Sequence, residues 1–195
     1  MIAVIDYKTG NLRSVKNALG RLGGEYVITG DPQEIRSASH VILPGVGEAG
    51  QAMASLRATG LAEVIRSLTQ PVLGICIGMQ LMCRRSDEGD TQCMGIFDTD
   101  VVRMLPGPGL KIPHMGWDTI EELNASIFQG LKEGTFVYYV HSYAPQICAQ
   151  TVAVTDYGIR FSGTLREGNF FGTQFHPEKS GTVGEQILQN FLNLK

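Results

Sequence analysis

Gly74-Ile75-Cys76-Ile77-Gly78 constrains this chain more than any other stretch. An apolar run ending in Pro71-Val72-Leu73 leads into it, and Met79-Gln80-Leu81-Met82 leads out with the character of a helix. A strand that turns at once into a helix around a glycine-flanked Cys is the thiol form of the nucleophile elbow. Such a turn forces strained backbone angles and brings strand and helix close together. Positions without a Cβ are therefore needed beside the nucleophile. The thiol also lands at a helix N-terminus, where the dipole favours thiolate over thiol.

The first half of the chain supplies the setting that such a turn needs. Apolar runs at Met1–Asp6, Tyr26–Thr29, His40–Leu43 and Val72–Ile75 read as strands, and their near-continuous hydrophobicity predicts a sheet covered on both faces. Helical spacing fills the intervals: Asn11–Leu22, a short helix opened by Asp31-Pro32, and Gln51–Leu68 with a break at Gly60. Strand-like stretches dominate the second half, at Val101–Leu105, Lys111–Ile120, Thr135–Tyr143, Thr151–Thr155, Arg160–Leu165 and Phe170–Phe175. Glu167-Gly168-Asn169 marks a hairpin turn, and Gly184–Leu194 a closing helix. The expectation is one α/β domain over residues 1–195. Its sheet is mostly parallel, has helices on both faces, and gains antiparallel strands late.

Composition narrows the function. The net charge of −3 and the lack of a Lys/Arg cluster argue against nucleic acid. No apolar stretch is long enough to span a bilayer, and the N-terminus reads as a strand rather than a signal peptide. Cys76, Cys83, Cys93 and Cys148 form no C-x-x-C pair, which suits a reducing, cytoplasmic setting. Cys83 reads as a core residue, and Cys93 and Cys148 as structural. No spacing suggests a metal site. Neither a phosphate-binding nor a dinucleotide loop is present, so no cofactor is expected.

A thiol nucleophile needs a base and a group to orient it. Of His40, His114, His141 and His176, the last stands in Phe175-His176-Pro177-Glu178. On a strand end, residues two apart share a face. Glu178 could then accept a hydrogen bond from one imidazole nitrogen of His176 while the other faces the thiol. Alone, His-x-Glu reads more readily as a strand-end histidine beside a surface acid; the elbow reverses that reading. Acyl transfer also needs donors to an oxyanion. Pro44-Gly45-Val46-Gly47 could supply them if the third and fourth strands are neighbours, or it could be an ordinary turn.

Together these pieces resemble the class I, or triad-type, glutamine amidotransferases. The match lies in Pro44–Gly47 (PGVG), Gly74–Gln80 (GICIGMQ) and Phe175–Glu178 (FHPE), in the family's order. A closer likeness is to one branch, the glutaminase subunits of imidazole glycerol phosphate synthases. It rests on Asp6–Val15 (DYKTGNLRSV), Gln70–Met82 (QPVLGICIGMQLM), Arg84-Arg85-Ser86, Pro113–Trp117 (PHMGW), Tyr139–Tyr143 (YVHSY) and Gln174–Gly181 (QFHPEKSG). One departure is Lys8, where the family shows Asp-Tyr-Gly.

The resemblance implies hydrolysis of glutamine to glutamate and ammonia, with Cys76 as nucleophile, His176 as base and then acid, and Glu178 as the group that holds His176. It implies that amides of Gly45, Val46 and Gly47 face the oxyanion. It implies further that Gln80, Glu88, Ser142 and Tyr143 hold the glutamine. The implied partner is a (β/α)8-barrel cyclase subunit of the histidine pathway, which receives the ammonia through a protected channel. Pro113, Met115 and Trp117 are expected at the surface facing it, a lone Trp being a good anchor, unless Trp117 is simply core. A peptide of the PGVG loop that must reorient would leave the isolated subunit nearly inactive. Two rivals remain: the same chemistry for another synthase, such as that of pyridoxal phosphate, and an inactive binding relative. PHMGW and HPEKSG weigh against the first, and the complete triad against the second.

Overall fold

The computed structural model describes residues 1–8, 12–45, 47–107 and 109–195. In chain order the elements are β1 (Ile2–Ile5), α1 (Leu12–Arg21), β2 (Tyr26–Thr29), α2 (Pro32–Ser37), β3 (His40–Leu43), α3 (Ala49–Ala58), α4 (Leu61–Arg66), β4 (Val72–Ile75) and α5 (Ile77–Met82). The second half follows with β5 (Arg85–Ser86), β6 (Thr91–Gln92), β7 (Asp100–Arg103), β8 (His114–Ile120), β9 (Thr135–His141) and β10 (Tyr143–Pro145). It closes with β11 (Thr151–Asp156), β12 (Arg160–Glu167), β13 (Phe170–Thr173) and α6 (Gly181–Leu192).

The central sheet has seven strands in the order β11-β12-β13-β4-β3-β1-β2. From β13 to β2 every pairing is parallel, while β11 and β12 join antiparallel at one edge. Every residue of β1, β3, β4 and β13 is buried, as expected for strands covered on both faces. Right-handed crossovers dictate which helix lies where. The step from β1 to β2 moves one way along the sheet and the step from β2 to β3 moves back, so α1 and α2 lie on opposite faces. The β3–β4 crossover runs on in that second direction, which puts α3 and α4 with α2. At the close of the chain α6 meets α1, and Arg21 pairs with Glu185 across them at 2.6 Å.

Local chemistry explains the boundaries. Asp31 caps α2, its side chain accepting from the Gln33 amide at 2.7 Å, and Pro32 occupies the first turn. Gly60 separates α3 from α4 with φ 72°, a conformation that would strain a side chain. Lys8 has φ 66°, in the left-handed region. That accounts for the glycine expected there: this chain keeps the turn without the residue best suited to it.

Four expectations need correction. The stretches around β7, β8 and β9 do not extend the central sheet. Instead β7 joins a four-stranded sheet, β10-β7-β5-β6, and β8 pairs only with β9 in a two-stranded ribbon. Alternation marks a strand but does not say which sheet it enters. The ribbon starts at His114 rather than Lys111, and the closing helix starts at Gly181, three residues early. Finally, β13 ends at Thr173, and Pro177–Lys179 forms a 3-10 turn, so His176 and Glu178 do not share a strand face.

Candidate active site

The carboxyl ends of β4 and β13 lie side by side, Ile75 opposite Thr173, and this adjacency builds the site. Directly beyond β4, Cys76 adopts φ 54° and ψ −109°, a strained conformation for a residue with a side chain. Its amide donates to the Thr173 carbonyl at 2.7 Å, which fixes the elbow to β13. The flanking glycines are sterically required. A Cβ on Gly78 would sit 1.9 Å from the Leu43 carbonyl oxygen, and one on Gly74 would sit 2.7 Å from the Met79 amide nitrogen. α5 thus packs directly on the backbone of β3 and β4.

Beyond the end of β13, His176 is almost fully buried, and its Nδ1 lies 2.8 Å from Glu178 Oε1. The carboxylate reaches back from the 3-10 turn rather than along a strand. Its side chain is only 5% exposed, so little water competes for it. Ser180 ties the turn down, its hydroxyl donating to the His176 carbonyl at 2.7 Å and accepting from the Tyr138 amide at 3.0 Å. Burial alone would push the His176 pKa down. The Cys76 sulfur and the Glu178 carboxylate outweigh it and hold the pKa at about 10. By donor and acceptor geometry His176 Nε2 makes no hydrogen bond among the described residues, although the sulfur contributes to that shift. Both facts fit one arrangement, in which the sulfur is close enough to be felt but is not aligned as a hydrogen bond.

A cavity of about 370 Å³ opens over the thiol, within the range of small-molecule sites. Its walls bring together most of the expected residues: Gly45, Gly47, Cys76, Gln80, Glu88, Pro113, Ser142, Tyr143 and His176. β3 and β4 are neighbours, the condition set for the PGVG loop. Gly45 rests on the elbow so tightly that a Cβ there would lie 2.6 Å from the Gly78 amide nitrogen. Tyr7 anchors the loop, its hydroxyl donating to the Pro44 carbonyl at 2.8 Å. Val46 lies outside the described residues. Gln80 donates from Nε2 to the Tyr143 carbonyl and to Gln174 Oε1, both at 2.9 Å, while its Oε1 has no hydrogen bond among the described residues. The Glu88 carboxylate accepts from the Ala49 amide at 2.8 Å, and burial raises its pKa against that bond.

Met115 and Trp117 stand apart from the cavity. On the ribbon they are 62% and 55% exposed, so Trp117 is not core. Pro113, also exposed, lies at the cavity's edge. Sequence reasoning missed Val140, His141 and Lys179 on the cavity wall, although His141 stands beside the expected Ser142 and Lys179 follows Glu178. His141 also explains His114. Its Nδ1 lies 2.9 Å from the Tyr143 carbonyl, which can only accept, so Nδ1 carries the hydrogen. His141 Nε2 lies 3.1 Å from His114 Nδ1, and His114 Nε2 meets Asp118 Oδ2 at 3.1 Å. Burial lowers the pKa of both histidines, that of His141 to about 3.

The arrangement suits acyl transfer by a thiol: a strained cysteine, a buried histidine held by a buried carboxylate, and a cavity above them. Residues 3–194 match the family model of glutamine amidotransferase class-I. The chain is a class I glutamine amidotransferase. This amidotransferase is 55% identical to the imidazole glycerol phosphate synthase subunit HisH of Bacteroides thetaiotaomicron, over 99% of both chains. It is 47% identical to subunit HisH 2 of the same synthase from Legionella pneumophila, over 100% of this chain and 98% of that one. Among solved structures it resembles one described as a glutamine amidotransferase, with TM-score 0.76 and 20% identity, covering 98% of this chain and 97% of that one. It also resembles the structure of PurLQS from Thermotoga maritima, with TM-score 0.69 and 20% identity, covering 98% and 97%. At such identities the structural likeness speaks for the amidotransferase fold alone. Among the described residues no group of side chains could hold a metal ion, and no helix is long and apolar enough to cross a membrane.

Proposed function

We propose that this chain is the glutaminase subunit of an imidazole glycerol phosphate synthase. All of residues 1–195 would act as one amidotransferase domain in the cytoplasm, supplying ammonia to a (β/α)8-barrel cyclase. The observation that carries the reading is the 55% identity, along 99% of both chains, to a relative bearing that name. The same end-to-end identity disfavours another synthase such as that of pyridoxal phosphate.

In this reading Cys76 gives its proton to His176 and attacks the side-chain carbonyl of glutamine. Amides of Gly45, Val46 and Gly47 stabilise the oxyanion. The imidazolium, held by Glu178, protonates the leaving nitrogen, and ammonia departs from a γ-glutamyl thioester. Water then adds to the thioester with His176 as base, releasing glutamate and restoring the thiol. Gln80, Glu88, Ser142 and Tyr143 hold the glutamine head group, and the unpaired Gln80 Oε1 is an acceptor suited to an ammonium. The exposed Met115 and Trp117, with Pro113 at the cavity's edge, would face the cyclase. The reaction needs no metal or cofactor.

Ammonia release from glutamine, measured with and without the cyclase and its substrate, tests the reading. We expect little turnover alone, strong stimulation by the partner, and loss of at least about a thousandfold in Cys76→Ser. Undiminished release by Cys76→Ser would overturn the mechanism. Full turnover without the cyclase would overturn the dependence on the partner.

A further inference from the structure

Gln174 lies between β13 and His176, is fully buried, and plays no part in the mechanism above. Its Nε2 is 3.7 Å from Cys76 Sγ, within hydrogen-bond range for sulfur. The orientation of this amide is forced. The Tyr143 carbonyl can only accept, so the Gln80 atom 2.9 Å from it must be Nε2. The same Nε2 meets the Gln174 amide at 2.9 Å and needs an acceptor there, which must be Oε1. Gln174 therefore turns its own NH2 toward the sulfur. Its backbone is pinned by a 2.9 Å bond from its amide to the Gly163 carbonyl, and full burial leaves the side chain no room to swing away.

Another contact of the sulfur has the opposite polarity. The thiol faces the Val140 carbonyl at 4.0 Å, an acceptor that suits S–H and not S⁻. Once the proton has moved to His176, the carbonyl offers the sulfur nothing, and the Gln174 N–H stands beside the imidazolium as a donor that can solvate it in a buried site. We propose that Gln174, aimed by Gln80 and the Tyr143 carbonyl, donates to Cys76 Sγ and favours its ionised, attacking form. This rests on Cys76 being the nucleophile. It adds a residue to the machinery that the triad leaves out.

Alkylation of Cys76 in the full-length chain by iodoacetamide, followed by mass spectrometry, reads the ionised fraction without needing glutamine or the partner. In Gln174→Met, which keeps the bulk and removes the donor, alkylation at about pH 7 should slow about tenfold, the size expected for one hydrogen bond to a charged group. At about pH 10, where thiols ionise unaided, its rate should return to within about twofold of wild type. Gln174→Glu keeps the acceptor for Gln80 but turns a carboxylate toward the sulfur, and it should be slower still at neutral pH. Equal rates in wild type and Gln174→Met at neutral pH would overturn the proposal. So would slowing by the same factor at both pH values, which is the mark of lost access, or a Gln174→Glu variant as fast as wild type. Should Gln174→Met fail to fold, the Gln174→Glu profile decides by itself. Failure of the nucleophile reading would register separately, as ammonia release surviving in Cys76→Ser.

Discussion

At the scale of single residues, the site is governed by how burial and partners compete for protons. His141 and His176 lie on the same cavity wall and shift in opposite directions, because burial outweighs the Tyr143 carbonyl bond at His141, while the sulfur and the carboxylate outweigh burial at His176. The consequence for stability differs in sign. His176, held at about 10, binds a proton in the folded state that the unfolded chain has lost. Its contribution is full below about pH 6.5 and is lost as pH rises through about 10. His141, lowered to about 3, stays neutral in the fold while its unfolded form takes up a proton below about 6.5. Acidification between those values should therefore destabilise the protein, by up to about 1.4 kcal/mol per pH unit for this group. The groups facing His141 are His114, the Tyr143 carbonyl and, through space, His176. Denaturant melts from about pH 6 to 4 should show a shallower loss in His141→Gln than in wild type. Parallel curves would count against this assignment.

Among the elements, the elbow is the most constrained. A Cβ at Gly78 would overlap the Leu43 carbonyl, which is backbone in the middle of the sheet and cannot step aside. Gly78→Ala should cost about 3 kcal/mol or more. Gly20 of α1 makes a fair control, since a Cβ there meets nothing within 4 Å, and Gly20→Ala should be neutral or stabilise by up to about 1 kcal/mol. Denaturant midpoints of the two variants measure the contrast, and similar values would refute the steric account. Much of this was legible in sequence. β3 and β4 fall where the apolar runs bounded by proline put them, because a strand buried on both faces has little polar sequence to blur its ends. The two-residue strands β5 and β6 carry no periodicity to detect. The i,i+2 argument brought Glu178 to His176 for the wrong reason: proline starts a 3-10 turn there, and the turn delivers the carboxylate by another path. Gln174 was quoted in a motif without a role, since nothing in one dimension shows that an amide buried beside His176 points at Cys76.

For the whole molecule, the ribbon of β8 and β9 is the least self-sufficient part. Met115, Trp117 and Phe136 are more than half exposed, and Trp117 meets Tyr138 edge-on at 6.0 Å. Such a face on an otherwise well-buried protein suits a partner. Trp117→Ala should weaken binding to the cyclase about thirtyfold or more in a titration, the effect of losing a central aromatic anchor, while melting temperature stays within a few degrees. Unchanged affinity would remove Trp117 from the interface.

The pairing of β4 with β13 reaches furthest. Cys76 and His176 follow neighbouring parallel strands, and the long excursion of chain between them binds both a second time: the His176 amide donates to the Tyr138 carbonyl at 2.9 Å, and the thiol faces the Val140 carbonyl. That excursion carries the small sheets, the ribbon and half of the cavity wall. A change in the interval that suits a new recipient of ammonia therefore reaches the thiol and the imidazole unless the backbone of β9 and Tyr143 stays in place. An engineer who grafts a foreign ribbon between α5 and β11 has to reproduce the backbone groups that Tyr138, Val140 and Tyr143 present to the site.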